Sequence, residues 1–118
     1  MTYISKRETQ AIRGWWWEIK DCAGIYFELI ANKPSQQPGR DISGDMVRLH
    51  DAQRAVQSII CPIEAENIRW YLLESMRQLQ ISLADMLADY PDESDKSHNN
   101  AHDKYKKACE LLSMAGAL

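Results

Sequence analysis

The chain has no Cys-x-x-Cys pair, no phosphate-cradling glycine loop, no dinucleotide fingerprint and no apolar run long enough to span a bilayer. Each absence removes a class of function. The three cysteines, Cys22, Cys61 and Cys109, are odd in number and far apart. A disulfide framework is therefore not expected; each reads as a small buried hydrophobe in a reducing compartment. The longest apolar region, Ala23 to Ala31, is short and contains Glu28. The start, Met1 to Arg7, lacks the apolar stretch of a signal peptide. The expectation is a soluble, cytoplasmic protein with no membrane partner.

Positive charge is also scarce. There are 14 Lys and Arg against 17 Asp and Glu, a formal net charge of −3. Phosphate-backbone binders are usually basic overall, so this balance disfavours nucleic acid, short of a local patch. No segment alternates apolar and polar residues with period two, so no sheet is predicted. No serine sits in a nucleophile elbow. Glu64, Glu66 and Glu74 lack the spacing of a di-iron bundle, and the acids from Asp85 to Asp95 read as a solvated helix end and turn. No cofactor is implied, and the chain reads as a non-enzyme.

What is present is helical period. With 118 residues and 45% hydrophobic content, the chain suits one domain spanning residues 1–118. The prediction is an all-α bundle of about four helices. The first covers about 6–31, opened by the capping pair Ser5 and Glu8 and closed by Asn32-Lys33-Pro34. A long loop, 32–44, carries Pro34, Pro38, Gly39 and Gly44; such loops are often functional or mobile, and the alternative is a plain crossover between helices. The second helix covers about 44–60. The third covers about 62–90, with Pro62 as its first residue and a seam of Leu72, Met76, Leu79, Leu83, Met86 and Tyr90. After a turn at Tyr90–Ser94, the fourth covers about 95–115 and is capped by Gly116.

Three consecutive tryptophans, Trp15-Trp16-Trp17, do not fit one core. A helix turns about 100° per residue, so three neighbours fan across about 200°, wider than one buried stripe. Trp17 falls on the charged face, among Arg13, Gly14, Lys20, Asp21 and Gly24. Glycines beside a large ring suit close packing by a partner, and tryptophan is enriched at binding hot spots. Trp70, Leu73 and Ile81 project away from the third helix's seam as a second apolar strip, if that helix does not break near Gln80-Ile81-Ser82. Self-association as a homodimer is its simplest use. The leading expectation is thus a non-catalytic interaction protein, a regulator, adaptor or small phage-type inhibitor, binding a protein partner, itself or both through Trp17, Trp70, Leu73 and Ile81.

Two alternatives use the last helix. Ile81-Ser82-Leu83-Ala84-Asp85-Met86-Leu87, a turn, then Ser97-His98-Asn99-Asn100 leading to Tyr105-Lys106-Lys107-Ala108 loosely resembles a helix-turn-helix of the sigma-factor region-four kind, also found in small phage antiterminators. The resemblance covers about the last forty residues. It implies a DNA-binding regulator contacting the major groove through His98, Asn99, Asn100, Lys104, Lys106 and Lys107. The sequence departs from it in a longer, acidic turn without the turn glycine. The second alternative is a metal-binding bundle. His98 and His102, at i and i+4, are candidate ligands, with His50, Cys61 or a carboxylate completing the set from another helix.

Overall fold

The structure, a computed structural model, describes residues 5–118. The first four residues, on which part of the signal-peptide reading rests, lie outside the described residues. Five α-helices follow in order: α1 (Lys6–Cys22), α2 (Gly24–Ala31), α3 (Ile42–Ser58), α4 (Glu66–Leu87) and α5 (Pro91–Met114). Short 3-10 turns at Pro34–Gln36 and Ile63–Ala65 precede α3 and α4. The fold is all-α, with no strand among the described residues. No described helix is long and apolar enough to cross a membrane.

The long first helix is two helices. The apolar spacing continues through Ala23, but its φ of −117° and ψ of 32° leave helical geometry. The next residue, Gly24, resists helix formation, so the chain bends where continuation is least favourable. The later boundaries also move: α3 begins and ends two residues before the expected 44–60, and α4 ends at Leu87, so Tyr90 lies beyond its seam. Pro62 precedes the 3-10 turn rather than opening α4, which starts at Glu66. Helix α5 starts at Pro91, so Asp92 and Glu93 form its first turn, where carboxylates suit the positive helix end.

The core of the molecule is a hairpin of α4 and α5. The Ser82 hydroxyl bonds to the Ser94 carbonyl at 2.8 Å, and the Ser75 hydroxyl donates to the Ala101 carbonyl at 2.7 Å. Each step back along α4 matches a step forward along α5, so the helices run antiparallel. Small residues at the seam, with Ala108 also fully buried, let the backbones approach closely. Helix α4 is continuous through Ser82, whose hydroxyl reaches across the seam rather than unwinding its own helix.

The connection is only Ala88-Asp89-Tyr90. The Tyr90 amide bonds to the Asp85 carbonyl and the Asp89 amide to the Met86 carbonyl, with Asp89 left-handed at φ 64°. That is a Schellman cap with aspartate in the position glycine favours. The same motif ends α5, where Gly116 (φ 72°) supplies it with no side-chain penalty and Ala117 bonds back to Leu112.

Helix α3 lies against α4, and α2 packs on α3 and on the hairpin. The Tyr26 phenol donates to Ser75 at 2.8 Å, tying α2 to the seam. Edge-on contacts of Trp16 with Phe27 (5.7 Å) and Tyr26 with Tyr105 (5.9 Å) join α1, α2 and α5. The loop between α2 and α3 is a pinned crossover. Arg40 grips Glu28 and Asp45, Arg48 meets Asp45 at 2.7 Å, and Ser35 bonds to Asp95. Asp45 is only 1% exposed. Burial, the largest single influence, raises its pKa, but the two guanidiniums together outweigh it and hold the carboxyl below its ordinary value.

Candidate interaction surface

The three tryptophans divide as their angular spread dictates. Trp15 and Trp16 are buried with Ile12 and Ile19, whereas Trp17 is 69% exposed. The Lys20 ammonium lies 4.5 Å from the Trp17 ring centroid. Such an exposed cation–π contact contributes about 0.5–1 kcal/mol. Beside the ring is a depression of about 220 Å³ lined by Arg13, Trp16, Trp17, Lys20 and Ala117.

The C-terminal segment forms one wall of this depression. Arg13 Nε donates to the Gly116 carbonyl at 3.0 Å, and the Thr9 hydroxyl donates to the Ala115 carbonyl at 3.2 Å. The cap at Gly116 thus folds Ala117 back against α1. Neither Arg13 nor Lys20 has a carboxylate within ion-pair distance among the described residues. Gly14 and Gly24 face open space, since a methyl group at either would meet nothing within 4 Å.

The second strip is less coherent. Trp70 is 55% exposed, its ring edge-on to Tyr71 at 5.0 Å, with the Lys104 ammonium 5.5 Å from its centroid. Leu73 is half-buried against the core, and Ile81 is half-buried too. The Glu74–Arg77 ion pair stands between them on the same helix. The side of α4 carrying Trp70, Leu73 and Ile81 is therefore not a continuous apolar face.

The residues proposed to read DNA do not share one surface. His98 is 4% exposed, its Nε2–H donating to the Leu29 carbonyl at 3.0 Å. Burial holds its pKa below the ordinary value. Lys104 is half-buried against Trp70 and Tyr71, and Lys107 lies 3.8 Å from Glu110. Asn99, Asn100 and Lys106 are exposed. The antiparallel hairpin also differs from the open crossing of about 90–120° in a helix-turn-helix, so that resemblance does not extend to the arrangement of the two helices.

His98 and exposed His102 line a cleft of about 400 Å³ with Lys33, Gln36 and Asn99. Among the described residues, no three His, Cys, Asp or Glu side chains gather where they could hold a metal ion, so neither His50 nor Cys61 completes that set. The cysteines depart from the buried reading: all three are free, Cys22 exposed and Cys61 and Cys109 half-buried.

Sequence reasoning reached Trp17, Arg13 and Lys20 through helical geometry. It missed Ala117, whose place follows from the Gly116 cap; the signal was Gly116 itself. No family model, no curated protein and no solved structure matches the chain.

Proposed function

We propose that this is a non-catalytic helical interaction protein, a regulator, adaptor or small inhibitor acting in the cytoplasm, and that it binds protein through the Trp17 face of α1. The carrying observation is the large exposed indole beside a depression flanked by two cations with no carboxylate partner among the described residues. A flat aromatic ring loses little freedom on binding and desolvates a large apolar area. The buried polar groups support the non-catalytic part. Asp45 is engaged by two arginines, His98 by Leu29 and Tyr26 by Ser75, so each has a packing role.

The test is a paired capture. Wild-type and Trp17→Ala chains are immobilised and exposed to the same native extract, after circular dichroism shows equal helicity and equal melting. The expected result is retention of a defined protein by the wild type and its loss from the variant. Identical sets retained by both baits would overturn the reading.

A further inference from the structure

The cationic depression has a counterpart at the other end of the molecule. From Asp85 to Asp95 the sequence holds five carboxylates and no Lys or Arg. Within that segment Leu87 and Tyr90 are both exposed, at 53% and 61%. Tyr90 sits in the three-residue turn of the hairpin, and Asp89 and Asp92 beside it are exposed. The left-handed cap at Asp89, followed by Pro91, holds this tip in one conformation. The tip is thus a rigid acidic knob bearing an aromatic ring, a residue type enriched in interface cores.

The depression and the knob cannot meet within one chain. Tyr90 immediately precedes α5, and Ala117 lies just beyond its other end. The 24 residues of α5 rise about 36 Å at 1.5 Å each. That is several Debye lengths at ordinary ionic strength, so the two charge clusters do not relieve each other internally. Each remains available to a neighbour.

We propose that the occupant of the Trp17 depression is the Leu87–Glu93 tip of a second copy of this chain, with the Tyr90 ring against the Trp17 indole and the tip carboxylates facing Arg13 and Lys20. The proposal rests on the reading of the Trp17 face as a protein-binding surface and names the protein. Sign complementarity carries it. Arg13 and Lys20 border the depression side of the Trp17 ring, while Glu18 and Asp21 line a separate hollow on that ring. Asp89 and Asp92, neither ion-paired among the described residues, flank the Tyr90 ring. The two surfaces differ, so one contact uses a different patch from each copy; made reciprocally about a two-fold it gives an isologous dimer. Two copies lying antiparallel satisfy it twice, and otherwise it propagates head to tail.

Charge reversal tests the pairing with the full-length chain. Lys20 and Asp92 are both exposed, and neither has an ion-pair partner among the described residues. Sedimentation velocity at low salt should show wild-type association that weakens at least about tenfold on adding salt, as an electrostatically complementary contact requires. Lys20→Glu alone and Asp92→Lys alone should each be monomeric, because each places like charges across the contact. Mixed together, the two variants should associate, since the Lys20→Glu tip still matches the unaltered depression of the other chain and the Asp92→Lys tip matches the reversed one. Asp89→Lys, at an exposed position outside α5, replaces Asp92→Lys if the latter loosens the first turn of α5.

A wild-type chain that stays monomeric at millimolar concentration and low salt would overturn the proposal, as would a mixture that fails to associate. If Trp17→Ala abolishes association while Asp92→Lys leaves it intact, the Trp17 face remains the binding surface and this occupant is wrong. If neither substitution alters association, this occupant is wrong, and the Trp17 face as a protein-binding surface is decided by the paired capture alone.

Discussion

Trp16 and Trp17 are the same residue type, one position apart on one helix, yet the first is 4% exposed and the second 69%. One hundred degrees of rotation separates a ring packed edge-on against Phe27 from a ring held under a lysine in water. Composition therefore does not decide what a tryptophan does here; its angular position on the helix does. The inward ring belongs to a cluster that joins three helices. The outward ring touches little of its own chain, and whatever it contributes is realised against another surface.

Substitutions on the two faces should separate cleanly. The largest effect is expected from Trp16→Ala, which removes a buried aromatic and leaves a cavity between α1 and α2. A loss of about 3–5 kcal/mol in chemical denaturation is expected. A loss below about 1 kcal/mol would mean that the ring is not part of the core. Next comes Ser75→Ala, which deletes the acceptor of the buried Tyr26 phenol. The cost should be about 1–3 kcal/mol, because a buried hydroxyl is left without a partner; replacing Tyr26 by Phe in the same chain should recover part of it.

A third measurement uses pH. Buried His98 has a folded-state pKa below its ordinary value, so protonation favours the unfolded chain. Its effect is absent above the unfolded value of about 6.5, and stability falls as pH drops below it. His98→Gln keeps a side-chain N–H for the Leu29 carbonyl but cannot titrate. Denaturation midpoints between pH 7.5 and 5 (a range chosen to bracket about 6.5) should fall for the wild type and stay nearly flat for the variant. Equal slopes would show that His98 is not the titrating group. The smallest effect belongs to the outward face: Trp17→Ala should change stability by no more than about 1 kcal/mol, the scale of its exposed cation–π contact. A large loss would erase the contrast between the two rings.

Much of the fold was legible because apolar residues recur at helical spacing in every helix. Trp17 was legible for the same reason, since its outward direction follows from its neighbours. The break at Ala23 was not. Ile19, Cys22, Ala23 and Tyr26 keep the helical period through it, and only Gly24 marks the weak point. The start of α5 was signalled by Pro91 followed by Asp92 and Glu93, a helix-opening pattern that reads equally as an acidic turn. The serine seam was hidden because hydroxyl residues count as polar in any pattern. Ser75 and Ser82 are nonetheless fully buried, each bonding a carbonyl of the facing helix. The grip of Arg40 on Asp45 likewise depends on the path of the loop, which no local signal specifies, whereas the Arg48–Asp45 pair is a local i, i+3 contact within α3.

Both solvent-facing indoles, Trp17 and Trp70, sit beneath a lysine ammonium. Their fluorescence should therefore be quenched more strongly by iodide than by caesium, because the local cation attracts the first and repels the second. The enclosed Trp15 and Trp16 are shielded from both ions, so a single emission spectrum contains one accessible and one inaccessible population. Covering either lysine-topped ring would shift light from the first to the second, giving the molecule an intrinsic optical signal of its own contacts.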